Sequence, residues 1–174
     1  MAPAAPRLGL RRYGFTLVEL ILTIAISAVL MSLAVPGFQS FLRNNRAAAL
    51  ANELVLALNI ARSEAVSRRG TVTVCTSANG TSCRGASDSD KTRWHKGWAV
   101  IFSPDNSVLR TQAAFANGTS LTSAAMSVAF DASGALAGSG IQTFTLTVDG
   151  CQGEQNRIVE VGPTGRVSMY NTSC

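Results

Sequence analysis

Two patterns of apolar residues divide the chain. From Phe15 to Val35 the sequence is almost continuously apolar for 21 residues, and a helix of that length rising about 1.5 Å per residue covers roughly the 30 Å of a bilayer's hydrocarbon core. Pro36 and Gly37 close the run. Proline offers no N–H to the carbonyl of Ser32 and crowds that turn, so a bend or a local loosening is expected there. Beyond Gly37 the helix resumes with a different pattern. Phe38, Phe41 and Leu42 continue an apolar face, and Ala47, Leu50, Leu54, Leu58, Ala61 and Ala65 follow at steps of three and four, opposite Asn45, Asn52, Glu53 and Asn59. This half is amphipathic and is expected to lay one face on a domain. Arg68 and Arg69 make a basic last turn, with Gly70 as the stop.

After Gly70 the vocabulary changes to that of strands. Alternation and β-branched residues predict strands over 71–75, 98–102, 108–111, 127–130, 143–148, 157–161 and 166–170, with turns at Pro104–Ser107, Asp131–Gly134 and Gly162–Gly165. A polar loop runs from Asn79 to Asp90. One long helix followed by about seven short strands makes the fold α+β, with antiparallel sheets packed on the helix.

Charge changes the picture at one place. Glu19 is the only charge within the apolar run, and a carboxylate in a spanning helix costs several kcal/mol unless it finds a partner or an interface. Ahead of it lie Arg7, Arg11 and Arg12, and positive charge flanking a span stays on the cytoplasmic side. The remainder is therefore expected outside the membrane, as one domain of some 130 residues on a stalk. No small-residue cleavage site of the Ala-x-Ala kind follows the apolar run, so an ordinary secretory signal is disfavoured. The formal charge of +5 counts the three leader arginines among its 15 basic residues; without them 12 basic residues face 10 acidic ones. That balance is weak support for a polyanionic partner.

Cys75, Cys83, Cys151 and Cys174 all lie beyond the apolar run, on the side expected to be oxidising, which favours two disulfides with three connectivities open. Intervals of seven, sixty-seven and twenty-two residues with a single histidine match no ordinary zinc pattern. Neither a metal nor another cofactor is expected. The chain shows no paired acids at a site, no nucleophile elbow, no phosphate-cradling glycine loop and no Cys/His constellation, so no enzymatic activity is expected. Trp94 and Trp98 around His95 read as packing at a strand entry, Arg62 and Glu64 as surface or docking residues, and the sequons at Asn79, Asn117 and Asn171 as turns.

The basic leader ending at Gly14, followed by Phe15-Thr16-Leu17-Val18-Glu19, resembles the type III signal of type IV pilins and pseudopilins. The resemblance implies that a prepilin peptidase cuts between Gly14 and Phe15 and methylates the new amine. It places Glu19 at the family's acidic assembly position, beside the Phe15 amine of a neighbour, and Pro36 at its helix kink. Ala61 to Cys75, Trp94-His95-Lys96-Gly97-Trp98 with Val100 to Asp105, Phe130 to Gly134, and Val161 to Val167 are similar to the GspH/FimT family of minor pseudopilins and minor pilins. Cys174 with Cys151 upstream is similar to the FimU/FimT-type minor pilins, and the pairing taken forward is Cys75 with Cys83 and Cys151 with Cys174.

The implied fold is type IV pilin-like: leader over 1–14, membrane or filament-core helix over 15–36, amphipathic half over 37–69, and a β-rich periplasmic domain over 70–174. The implied role is a minor subunit that primes a type IV pilus or a type II secretion pseudopilus and sits at or near its tip. Its implied partners are other minor and major pilins or pseudopilins, the prepilin peptidase, the inner-membrane assembly platform and, before assembly, the lipid bilayer. Some relatives of the FimT type take up DNA with a Gly-Arg-x-Arg motif. Here the matching stretch is Gly165-Arg166-Val167-Ser168, so Arg166 is a candidate contact without its second arginine. The only basic cluster, Arg84, Lys91, Arg93 and Lys96, is interrupted by Asp88 and Asp90, and nucleic acid is not the favoured partner.

Overall fold

The apolar face at steps of three and four becomes the buried side of a single helix, α1 (Leu17–Arg68), in a computed structural model that describes residues 14–115 and 118–174, apart from the side chain of Pro36. The leader arginines and Asn117 lie outside the described residues. Ala47, Leu50, Leu54, Leu58, Ala61 and Ala65 are all buried, joined by Ala51 and Ala57, while Asn45, Asn52 and Asn59 face solvent. The helix runs through Pro36 and Gly37 without ending. By contacts the chain divides into two compact units, residues 1–39 and 40–174.

The helix stop differs from the expected one. Arg69, not Gly70, takes the left-handed conformation, with φ of 51°. The Gly70 N–H donates to the Ala65 carbonyl (3.1 Å) and the Arg69 N–H to that of Val66 (3.3 Å), which is the paired hydrogen bonding of a Schellman motif. Glycine at position 70 answers a packing demand instead: a Cβ there would lie 2.7 Å from the Phe102 ring. Arg68 lies over the same ring, 5.4 Å from its centroid.

Among the described residues eight strands follow: β1 (Val72–Thr76), β2 (Trp98–Phe102), β3 (Ser107–Gln112), β4 (Thr119–Ser123), β5 (Ser127–Phe130), β6 (Gln142–Val148), β7 (Asn156–Val161) and β8 (Val167–Thr172). They form two antiparallel four-stranded sheets, ordered β3-β2-β1-β5 and β4-β6-β7-β8. β4 is the strand beyond the seven expected. Its sequence, Thr-Ser-Leu-Thr-Ser, carries one apolar residue, Leu121, so its period of two is invisible until pairing with β6 buries that side chain. Asn171 lies within β8 rather than in a turn, whereas Asn79 does make a turn, its Oδ1 accepting the N–H groups of Thr81 (3.0 Å) and Ser82 (3.1 Å). One continuous core joins helix and sheets: Leu50, Leu54 and Leu58 with Val72, Val74 and Phe130 of one sheet and Phe144, Leu146, Val159 and Val161 of the other.

Disulfides join Cys75 to Cys83 and Cys151 to Cys174. The first ties the polar loop to the central strand β1 over the buried patch of Cys75, Ala99 and Ile101; the second holds the C-terminus after β8 to the segment before β7. Cross-links of this kind act mainly by restricting the unfolded chain.

Arg62 fastens the helix to both sheets. Its Nε donates to the Gly134 carbonyl (3.0 Å) and its Nη2 to the Thr164 carbonyl (3.2 Å), joining the turn after β5 to the turn between β7 and β8. Gly165 completes this junction: its φ is 74°, and a Cβ there would collide with the Gly134 carbonyl. Asp131 shapes the first turn, its Oδ1 accepting from the Ser133 N–H (2.8 Å), the Ser133 hydroxyl (2.6 Å) and the Ala135 N–H (3.2 Å). The Ser133 side chain is the largest cause, with its backbone N–H next, holding the Asp131 carboxyl below its ordinary value of 3.8.

Arg62→Ala leaves two carbonyls without their charged donor and is expected to cost about 1–3 kcal/mol, seen as a lower Tm of the solubilised chain. Glu64→Ala removes only an exposed pair with Arg68 and is expected to cost under about 0.5 kcal/mol. For Asp131 the folded pKa is depressed, so its stabilisation is present above the unfolded value near 3.8 and is lost as pH falls through the folded one. Asp131→Asn keeps an acceptor but not the charge; its Tm is expected to fall less than wild type between neutral pH and pH ~3, and parallel curves would contradict this.

Candidate assembly interface

Among the described residues the N-terminal part of α1 carries the longest run of exposed large apolar side chains. Every described side chain from Gly14 to Gln39 is exposed, Phe15 at 81%, Leu17 at 73% and Leu33 at 75%. A soluble surface does not hold a patch of this size without a membrane or a partner over it. The helix starts where Thr16 caps it: the Glu19 N–H donates to Thr16 Oγ1 (3.2 Å) and the Leu20 N–H to the Thr16 carbonyl (3.1 Å), so Gly14 and Phe15 precede the helix. Gly14 is not demanded by packing, since a Cβ there would meet nothing within 4 Å.

Polar side chains further along are satisfied within the helix. Thr23, Ser27 and Ser32 donate their hydroxyls to the carbonyls of Leu20 (2.8 Å), Thr23 (2.7 Å) and Val29 (2.7 Å), which lets them face hydrocarbon at little cost. Among the described residues the Glu19 carboxylate has no such partner. Acidic charge in the first turn is favoured by the helix dipole, by less than about 1 kcal/mol when exposed. That is smaller than the several kcal/mol of burying it unpaired.

Other residues singled out from the sequence serve the fold. Trp94 and Trp98 are buried, Trp94 edge-on to Phe144 at 4.8 Å and donating from Nε1 to the Ala125 carbonyl (3.0 Å), Trp98 stacked on Phe115 at 5.5 Å. His95 Nδ1 lies 3.2 Å from both N and O of Leu121, at the backbone of β4. In the loop between β1 and β2, after Cys83, Arg84 pairs with Asp88 (2.8 Å) and Arg93 with Asp90 (2.9 Å), and Lys91 donates to the Ala86 carbonyl. Arg166 is exposed, and its carbonyl accepts the Gly162 N–H (2.9 Å) at the hairpin. The structure does not gather Arg166 and the loop cations into one described contact. Among the described residues no group of three His, Cys, Asp or Glu is placed to hold a metal.

One polar cluster went unread in the sequence. Arg157, 6% exposed, donates to Asn44 Oδ1 (2.9 Å) and to the Gln155 carbonyl (2.9 Å), and the Gln155 amide donates to Ser40 Oγ (2.8 Å). Burial pushes the pKa of the Arg157 guanidinium down. Its place was open to inference, because Arg157, Val159 and Val161 alternate onto one face of β7.

Residues 50–165 match the family described as type II transport protein GspH, and residues 10–35 match the prokaryotic N-terminal methylation motif. Among solved structures the chain is similar to the type IV minor pilin FimU of Pseudomonas aeruginosa PAO1 in two crystal forms. One match has 24% identity and a TM-score of 0.59, covering 77% of this chain and 98% of that one. The other has 22% identity and a TM-score of 0.54, covering 72% and 98%. At these identities the likeness bears on the fold, a long N-terminal helix packed on two antiparallel sheets. None of the curated proteins matches the chain. An N-terminal apolar helix behind a methylation motif is what anchoring in the inner membrane before pilus assembly requires. With two thirds of its length matched, the chain belongs to the GspH family of pilin-like subunits, which build filaments with other pilins or pseudopilins and are structural proteins rather than enzymes.

Proposed function

We propose that the chain is a minor pilin or pseudopilin that primes assembly of a type IV pilus or a type II secretion pseudopilus and takes a place at or near its tip. The observation that supports this best is the Glu19 carboxylate, which has no partner among the described residues, on an exposed and largely apolar helix surface. In this reading residues 1–14 are a leader that stays on the cytoplasmic side, and the prepilin peptidase cuts between Gly14 and Phe15 and methylates the Phe15 amine. Residues 15–36 hold the chain in the inner membrane, with the remainder in the periplasm. The assembly platform then lifts the helix into a filament core, where Glu19 faces the Phe15 amine of a neighbour. Two unit charges about 4 Å apart attract by roughly 4 kcal/mol at an effective dielectric near 20. That offsets much of the burial cost and fixes the axial register of one subunit on the next.

Whether twitching or protein secretion depends on the filament is decided by deletion, through loss of pili or of secreted enzymes. DNA uptake gains no support from the geometry: two arginines of the loop are spent on local aspartates, and Ser168 stands where a second arginine would be needed.

Glu19→Ala is expected to leave cleavage after Gly14 intact while reducing incorporation into filaments about tenfold or more, read by immunoblot of sheared or detergent-extracted fibres. Normal incorporation would refute the register role. A bulky substitution at Gly14 is expected to leave the precursor uncut, visible by mass spectrometry as a chain heavier by the leader. Since a Cβ there meets nothing within 4 Å among the described residues, the block is expected without any loss of Tm.

A further inference from the structure

Two four-stranded sheets present four edges, and three of them are covered or distorted. Along β5 the Ala137 N–H donates to the Ala129 carbonyl (2.8 Å), and Leu136 bridges to Phe130. Along β4 the segment before β2 does the same work: Arg93 bridges to Thr122, the Ser123 N–H donates to the Thr92 carbonyl (3.2 Å), and His95 sits at Leu121. β3 is bulged, Arg110 pairing with Val100 and Val108 with Ile101, so that Leu109 has no partner across the ladder. Bulges and covering loops are the ordinary means of protecting a sheet edge.

β8 has neither. It pairs with β7 in unbroken register from Val167 to Thr172, and it contains no charge and no proline. Ser168, Met169, Tyr170 and Asn171 are all exposed, Met169 at 41% and Tyr170 at 45%. The hairpin fixes which backbone groups are free. Because the Gly162 N–H reaches the Arg166 carbonyl, that pair is a hydrogen-bonded one, and antiparallel alternation makes Ser168, Tyr170 and Thr172 the residues bonded to β7. The N–H and C=O groups of Val167, Met169 and Asn171 therefore point out of the sheet, and among the described residues nothing accepts or donates to them. The Cys151–Cys174 disulfide and the Cys174 N–H bond to the Gly153 carbonyl (3.0 Å) hold the strand's end in place.

We propose that β8 is a docking edge that adds an extended, uncharged strand from a different pilin-like subunit to the β4-β6-β7-β8 sheet. A row of alternating backbone donors and acceptors is satisfied by another extended backbone and by little else. The absence of charge on β8 means that the occupant is not selected by ion pairing. The occupant is not a second copy: of this chain's described edges only β8 is open, and joining β8 to β8 needs an isologous two-fold, whereas subunits stacked along a filament meet through unlike surfaces. The proposal rests on the assembly reading above and adds to it which surface chooses the neighbour.

Proline at an outward-facing edge position removes a docking N–H without breaking the ladder to β7. With the full chain as the sole copy in its cell, incorporation into filaments is compared for wild type, Met169→Pro, Met169→Ala and Glu19→Ala. Met169→Pro is expected to incorporate about tenfold less or worse, and Met169→Ala within about twofold of wild type, with both cleaved normally and both keeping Tm within a few degrees. Normal incorporation of Met169→Pro alongside a defective Glu19→Ala overturns the docking edge and leaves the assembly reading standing. Equal losses for Met169→Pro and Met169→Ala also overturn it, by assigning the effect to the side chain. If Met169→Pro unfolds, Asn171→Pro carries the same comparison. A photoreactive residue replacing Asn171 then identifies the occupant: a crosslink to another pilin-like subunit supports the proposal, and a crosslink to a second copy or to DNA overturns it.

Discussion

A carboxylate on a surface otherwise made of hydrocarbon has to be neutralised wherever that surface is buried, and Glu19 is in that position. The hydroxyls around it show how the chain treats polar groups it does not intend to pair outside itself: Thr23, Ser27 and Ser32 are each returned to a backbone carbonyl of the same helix. Glu19 is too long and too charged for that solution. In the proposed function the positive group comes from another molecule: the terminal amine that cleavage before Phe15 would create is positive, small and located at the same end of the helix. In the proposed function the helix is both an anchor, which asks only for hydrocarbon, and an assembly element, which asks for one well-placed charge.

The rest of α1 obeys a different rule. Its C-terminal turns bury alanines and leucines, and the alanines matter as much as the leucines: Ala47, Ala51, Ala57, Ala61 and Ala65 are wholly buried. Small side chains leave room for large ones: Phe130 of β5, Phe144 of β6 and Trp94 share one buried cluster with these alanines. Polar fasteners then fix the angle that apolar packing alone leaves loose. Arg62 bridges two turns from different sheets, and Arg157 and Gln155 reach Asn44 and Ser40 from the other direction. The second sheet thus holds the helix at two separated points.

Much of this was legible in the sequence because the relevant signals are periodic. The helix face at steps of three and four named six buried residues correctly, and β2, a continuous apolar run, β5, and β6, which alternates cleanly, emerged within a residue of their bounds. β4 was not legible, since a strand with one apolar residue has no pattern to read, and its existence depends on β6 beside it. The helix stop was misassigned to Gly70 because glycine is the usual left-handed residue. Here an arginine takes that conformation and the glycine makes room for Phe102. Buried polar contacts such as Arg62 with Gly134 join residues 72 positions apart, and no local pattern announces them. Glu19 stands out for the opposite reason: one charge in a long apolar run is an anomaly that sequence displays more plainly than structure does.

The most direct measurement is the separation between the Phe15 amine nitrogen and the Glu19 carboxylate of adjacent subunits in an assembled filament, by high-resolution imaging or by solid-state magnetic resonance with those two groups labelled. The account predicts a pair within about 4 Å between neighbours, the range in which such charges attract appreciably in a dry core. A separation beyond about 10 Å, with Glu19 facing a different group or water, would contradict it.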